Sequence, residues 1–287
     1  MQKQIFVLAD LHVGSAYGLL PPDFMDTEGN VHSQNLGQQY LWDRFIDTLN
    51  RIQSRPISII VLNGDLLDGS QKKADKQPLT LHRLQDQREA AVKVLEEVRS
   101  RFPKVEWKFV SGTPYHELAE EMSQVSYCLL GAKQDVSRTQ HLRVGEAILT
   151  FHHELTFSSA LLKGNTLERA IVDNLLASTE QGWPQADALI RSHCHYFRYL
   201  GRKNKIALVT PCWQLQTDYV TKRSPDANIP DLGAVVLTVD DSLKQDGICP
   251  VGFTEYLHKH PAPIVKDMTS AGGENDAVIQ SAGLATV

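Results

Sequence analysis

Ile5-Phe6-Val7-Leu8-Ala9-Asp10-Leu11-His12 is an apolar run that ends in a carboxylate and an imidazole two positions apart. Residues 4 to 9 read as a buried strand, and on a strand positions i and i+2 share a face, so Asp10 and His12 can reach one common point. The same arrangement recurs down the chain. Ser58 to Leu62 reads as a strand running into Gly64-Asp65, and Val105 to Val110 leads to His116. Ala147 to Phe151 leads to His152-His153, and Ala188 to Arg191 to His193-Cys194-His195. Sheets with parallel strands build their sites along the carboxyl edge, so a fold that gathers these strand ends would gather the acids and histidines with them.

Helix signals separate the early strands. Leu41, Phe45, Ile46, Leu49 and Ile52 recur at helical spacing over residues 38 to 53. A second stripe of Leu84, Ala91, Val94, Leu95 and Val98 predicts a helix over 79 to 101, closed by Pro103. Further helices are expected over 116 to 130, ended by Gly131, and over 160 to 178. Gln140 to Val144 and Ala147 to Phe151 flank Gly145 as a hairpin. Tyr196 to Leu200, Lys205 to Thr210 and Gly233 to Val239 read as consecutive strands, so an alternating α/β first half gives way to a second half richer in β structure. Two long irregular stretches, 14 to 37 and 212 to 231, leave strand ends that carry these residues and are expected to wall a substrate pocket. One domain is expected over 1 to 265, with a flexible tail over 266 to 287 rich in Ala, Gly, Ser and Thr.

Composition bounds the function. Lys plus Arg number 29 against 34 acids in 287 residues, a net charge of -5, so there is no global positive field to hold duplex DNA or an anionic membrane. Arg202-Lys203-Asn204-Lys205 and Thr221-Lys222-Arg223 are the best local basic candidates and read as solvated loop charges. The four cysteines, Cys128, Cys194, Cys212 and Cys249, form no C-x-x-C pair, which fits a reducing cytosol. No apolar run of membrane-spanning length occurs, and Met1 to Lys3 run straight into a strand, so a cytoplasmic protein is expected.

Each Asp/His cluster alone is weak evidence, since a lone histidine is more often a core or surface residue than a ligand. His258-Lys259-His260 is a second His-x-His near the tail and reads as exposed and structural. The ordered set carries more weight. Carboxylate oxygens and neutral imidazoles hold divalent first-row metals, and a carboxylate can bridge two ions about 3.5–4 Å apart. Asp65 is the candidate bridge, with Gly64 allowing a tight backbone approach.

This ordered set resembles the calcineurin-like metallophosphoesterase superfamily, whose pattern is Asp-x-His, Gly-Asp, Gly-Asn-His, His and Gly-His-x-His. The resemblance covers roughly residues 4 to 240 and implies an α/β fold, a four-layer β-sandwich flanked by helices. It makes Asp10, His12, Asp65 and His195 ligands of a first metal, and Asp65, His152 and His193 ligands of a second. His116 matches the catalytic histidine that stabilises the leaving group, oriented by Glu117 or Asp10. Asp68 matches an acid that supports the loop. Three departures stand out. Gly112-Thr113-Pro114-Tyr115-His116 lacks the Asn that normally binds the second metal, leaving Thr113, Tyr115 or water for that place. Ser192 replaces Gly before His-x-His, a small change expected to be tolerated, and Glu154 follows His152-His153, either of which could face the metal, with His152 preferred because the strand ends there. Gly-Thr-Pro-x-His variants resemble phage and prophage members.

The resemblance implies hydrolysis of a phosphate mono- or diester with two divalent ions, drawn from Mn, Fe, Zn or Ni, acting on a small phosphoester or nucleotide. A DNA-repair-type nuclease would need a basic groove that the acidic balance disfavours. A non-catalytic scaffold of the same fold is the other alternative.

Overall fold

The computed structural model describes residues 2–70, 78–155, 165–223 and 229–262. Its strands are β1 (Lys3–Leu8), β2 (Phe24–Met25), β3 (Val31–His32), β4 (Ile57–Asn63), β5 (Glu106–Val110), β6 (Val136–Ser137), β7 (Thr139–Val144), β8 (Ala147–His152), β9 (Ala188–Arg191), β10 (Arg198–Arg202), β11 (Lys205–Val209), β12 (Leu232–Val239) and β13 (Val251–His258). The helices are α1 (Leu36–Ile52), α2 (Leu84–Arg101), α3 (Ala119–Leu130), α4 (Asn165–Gln181), α5 (Asp218–Arg223) and α6 (Asp241–Gln245).

Two sheets stack face to face. The first runs β13-β12-β1-β4-β5-β6 and the second β10-β11-β9-β8-β7. β1, β4, β5 and β6 pair in parallel, and so do β8, β9 and β11, which aligns the carboxyl ends that carry the acids and histidines. Ile5, Val7, Val61 and Val110 of the first sheet meet Leu149, Phe151, Ala188 and Ile190 of the second in the inter-sheet core. The other face of the first sheet is covered by α1, α2 and α3 through Leu41, Phe45, Leu49, Ala91, Val94, Leu95 and Met122. Leu167 and Ile171 of α4 cover the second sheet through Leu189, Ala207 and Val209. Helix, sheet, sheet, helix is the four-layer α/β sandwich that the resemblance implies.

Element boundaries shift where local polar groups take the backbone donors. α2 begins at Leu84, not 79, because the Thr80 and Leu81 amides donate to the Gly14 carbonyl at 2.8 and 3.1 Å, tying this segment to the loop after β1. α3 begins at Ala119, not 116, because the His116 and Glu117 amides both turn back to the Thr113 carbonyl at 3.0 Å. α3 ends as expected at Gly131, in the left-handed region at φ 76°. β10 starts at Arg198 rather than 196, after the Phe197 amide is taken by Asp231 Oδ2 at 2.8 Å. The irregular stretches contain the β2–β3 pair and α5, and β13 is an additional edge strand that pairs with β12 throughout its length. The expected helix start at 160 and the tail lie outside the described residues.

Candidate metal centre

The loops leaving β1, β4, β8 and β9 converge at the carboxyl edge between the sheets. Of six non-glycine residues with positive φ among those described, five are Asp10 (52°), His12 (45°), Asp65 (49°), His193 (70°) and His195 (55°). A side chain in that region costs on the order of 1–3 kcal/mol, so its backbone is held there by the surrounding structure. Here the strain coincides with five of the seven acids and histidines singled out from the sequence as ligands or catalyst.

Two triads form. In one, His195 Nε2 lies 3.3 Å from Asp10 Oδ1 and 3.2 Å from His12 Nε2. In the other, Asp65 Oδ2 lies 3.0 Å from His153 Nε2 and 3.9 Å from His193 Nδ1. Asp10 Oδ1 stands between them, 3.8 Å from His153 Nε2. Asp10, His12, Asp65 and His153 are 0–1% exposed. The structure therefore brings together Asp10, His12, Asp65, His193 and His195, and it corrects one expectation: His153, not His152, enters the cluster. His152 turns outward, its Nδ1 2.8 Å from both the Arg138 carbonyl and Thr139 Oγ1. Ala147, Leu149 and Phe151 face the inter-sheet core, and the two-residue period of the strand carries His153 to that side. That alternation was the available signal; choosing by where the strand ends overrode it.

The surroundings fix each ring. His153 Nδ1 donates to the Asn63 carbonyl at 2.7 Å, turning Nε2 toward Asp65. His12 Nδ1 donates to Asp68 Oδ1 at 3.0 Å, turning Nε2 toward His195. A carbonyl or carboxylate behind an imidazole is the arrangement that orients metal-binding histidines. Asp68 is thus the support of His12. His116 Nδ1 donates to the Asp68 carbonyl at 2.9 Å, and its ring stands edge-on to His12 with centroids 4.6 Å apart. Neither Glu117 nor Asp10 makes that bond, contrary to expectation. Glu117 instead accepts from the Leu66, Leu67 and Gly112 amides at 3.0, 3.2 and 3.0 Å, clamping the Asp65 loop to the loop after β5. At the place of the missing Asn, Thr113 holds Asp65: its amide donates to Oδ1 at 2.7 Å and its hydroxyl lies 3.1 and 3.2 Å from the two carboxylate oxygens.

Glycine makes this closeness attainable at two positions. A Cβ on Gly112 would fall 2.1 Å from Asp65 Oδ1, and one on Gly64, at φ 84°, would fall 2.4 Å from His153 Nδ1.

Burial works against charge at His153, but Asp65 and Asp10 outweigh it and push its pKa up to about 10. Burial likewise opposes the charged form of His195, and Cys212 and Asp10 overcome it, holding the ring well above the usual imidazole range. Burial raises Asp65, but His153 more than compensates and the carboxyl is held well below its ordinary value. Without a cation, protons on His153 and His195 balance the buried carboxylates. That balance leaves defects: Asp10 Oδ1 and His153 Nε2 are buried without a well-aimed hydrogen bond, although His195 Nε2 lies 3.3 Å from the first and Asp65 Oδ2 3.0 Å from the second. Buried groups that are charged yet not aimed at one another are those a shared cation satisfies. Two carboxylates and four imidazoles also suit borderline first-row divalent ions, so the residues fit the metals expected of them.

His258 and His260, expected to be exposed, are partly buried. His258 Nε2 lies 2.7 Å from Thr48 Oγ1, and His260 Nε2 accepts from the Gln216 amide at 3.2 Å, so both brace β13 and its extension. Lys205, expected in a solvated basic loop, is buried and donates to the Ala186 carbonyl at 2.6 Å, while Arg202 pairs with Glu168. No helix among the described residues is long and apolar enough to cross a membrane.

Fold and centre together define an α/β-sandwich protein with two adjoining acid/imidazole triads on its strand ends. No protein-family model and no curated protein matches the sequence. Among solved structures the chain is similar to wild-type Vps29 of Entamoeba histolytica complexed with zinc, at 13% identity and TM-score 0.43 over 88% of this chain and 99% of that one. It is also similar to a novel archaeal phosphodiesterase (8% identity, TM-score 0.43, 89% and 99% covered). A third such structure is YfcE, a phosphoesterase from E. coli (13%, 0.41, 87% and 98%). At such identities and scores the chemistry has to be read from the centre itself.

Proposed function

We propose that this chain hydrolyses phosphate mono- or diesters with two divalent cations, one of which would be held by Asp10, His12 and His195 and the other by Asp65, His153 and His193. The observation that carries the reading is the convergence of both triads around buried Asp10 Oδ1 and His153 Nε2, neither of which has a well-aimed hydrogen bond. Bound there, two such ions supply Lewis-acid charge for phosphoryl oxygens and lower the pKa of a water at the phosphorus. The chain's own groups do the rest. Asp68 and the Asn63 carbonyl present His12 and His153 by their Nε2 atoms. Thr113 and Glu117 hold the Asp65 loop. His116 is 19% exposed, with Nδ1 engaged by the Asp68 carbonyl, so Nε2 is the atom left to hand a proton to the departing oxygen.

The test is turnover of p-nitrophenyl phosphate, bis-p-nitrophenyl phosphate, plasmid and single-stranded DNA by purified protein supplied in turn with Mn, Fe, Zn and Ni. Metal-dependent cleavage of the small esters, abolished in Asp65→Asn, is expected. Cleavage of DNA in preference to both small esters would make it a nuclease, and metal binding without turnover a scaffold. Full activity in Asp65→Asn, free of contaminating phosphatase, would refute the role of Asp65 in holding a cation.

A further inference from the structure

Ser192 stands where the sequence pattern has Gly, and the sequence alone marks it as a neutral replacement. In the structure its side chain is fully buried and used. Asn63 Nδ2 donates to Ser192 Oγ at 2.7 Å, the Ser192 amide donates to the His153 carbonyl at 2.9 Å, and His153 Nδ1 donates to the Asn63 carbonyl at 2.7 Å. These three bonds close a ring across both sheets. Asn63 ends β4 two residues before Asp65, and Ser192 follows β9 one residue before His193. Each member of the Asp65/His153/His193 triad is therefore in the ring or within two residues of it. None of the three bonds involves Asp10, His12 or His195. A fourth bond, between Ser192 Oγ and Thr210 Oγ1 at 2.7 Å, lies outside the ring.

We infer that Ser192 is a positioning residue for the second cation: its hydroxyl closes a ring that fixes the spacing of Asp65, His153 and His193. The inference rests on the two-cation reading above. The chemistry gives it a reason. With Thr113 spent on Asp65 where an Asn ligand is expected, the second triad has only three protein side chains, and a site short of a ligand depends more on how rigidly the remainder are spaced.

The experiment is titration of the metal-free full chain with Mn2+ by calorimetry, alongside electron paramagnetic resonance to detect a spin-coupled pair of ions. Wild type should take up two ions in two steps. In Ser192→Ala the weaker step should lose affinity about 10–100-fold, the range seen when the support of a ligand is removed, and the coupled signal should fade. The tighter step should stay within about threefold, which also reports that the variant is folded. Thr210→Val, which cuts only the bond outside the ring, should leave both steps near wild type, and Ser192→Thr, which keeps the hydroxyl, should restore the second. Asn63→Ala cuts the same link from β4 and serves if Ser192→Ala does not fold. Unchanged second-step binding in Ser192→Ala overturns the role of Ser192 and leaves the metal centre standing. An equal loss in Thr210→Val overturns it too, by assigning the effect to packing. Fewer than two ions on wild type overturns the two-cation reading itself, and this inference with it.

Discussion

Asp65 Oδ1 has a backbone amide at 2.7 Å and the α-carbon of Gly112 so near that a methyl there would land 2.1 Å away. Gly112→Ala should therefore push Asp65 out of place while leaving the sheets intact. Misplacing a reacting group by about 1 Å can cost on the order of 10²-fold, so kcat/KM for a small phosphoester should fall by roughly that factor with far-ultraviolet circular dichroism unchanged. The adjacent histidines give a sharper contrast. His153→Ala should remove metal-dependent turnover, whereas His152→Ala, which cuts outward contacts to Thr139 and Arg138, should keep metal content and rate within a few-fold of wild type. Metal analysis and steady-state rates on the two variants side by side check both. These residues show what was readable in advance. Asp10, Asp65 and the His193/His195 pair follow apolar runs of strand length, and a strand end leaves little freedom about where the next side chain goes. The choice between His152 and His153 needed the facing of β8, which the Leu149 and Phe151 alternation held. The bonds of Glu117 and Ser192 were not readable, because hydrogen bonds between segments 51 or 129 residues apart leave no local pattern.

At the scale of elements, the helices anchor the loops that carry the centre. α1 starts with a reciprocal cap: Asn35 Oδ1 accepts from the Gln38 amide at 2.9 Å, and Gln38 Oε1 accepts from the Asn35 amide at 3.1 Å. The same Gln38 donates Nε2 to the Ser15 carbonyl at 3.0 Å, three residues beyond His12. Five apolar side chains at helical spacing identified α1 in the sequence, but the start of α2 was hidden because residues 79–81 spend their backbone on the loop after β1. The clamp before α3 is open to test. Glu117→Gln replaces one of two accepting oxygens with a donor that must face the amides of Gly112 or of Leu66 and Leu67. Leaving buried amides unpaired costs about 1–3 kcal/mol each, so the melting temperature should fall by several degrees and binding of Mn2+ should weaken as the Asp65 loop loosens. A melting temperature equal to wild type would show that the three bonds are replaceable.

Across the whole molecule, the buried charges tie stability to pH. His153 is raised from 6.5 to about 10, so the stability it gives the metal-free protein is complete below pH 6.5 and is lost as pH climbs through 10. Glu117, raised from 4.5 to about 8 chiefly by burial and by Asp65, acts in the same direction between those values. Asp10 and Asp65, lowered from 3.8 because nearby His153 outweighs the cost of burial, contribute above pH 3.8 and lose that contribution as pH falls below it. Protein stripped with EDTA should accordingly melt highest near about pH 5–6 and lower at pH 9. Added Mn2+ should raise the alkaline melting temperature most, because binding must displace protons from the imidazoles and tightens as pH rises. A stripped protein that is most stable at pH 9 would contradict the charge pairing. The α/β class was legible from strand and helix alternation early and strands late, the four layers followed from the resemblance, and β13 was missed because this edge strand buries only Val251 and Tyr256.

One connection sets a timetable for biosynthesis. β1 pairs with β12 as well as with β4, and the Trp213 amide donates to the Asp10 carbonyl at 2.9 Å, so the first loop of the centre is braced by residues some two hundred positions later. A ribosome delivers the N-terminal half first, and that half alone holds no histidine from the 193–195 loop and no strand to close its sheet edge. On the two-cation reading proposed above, both ion sites would be complete only once the β9–β12 segment has emerged, so metal acquisition would be one of the last events in the maturation of the protein.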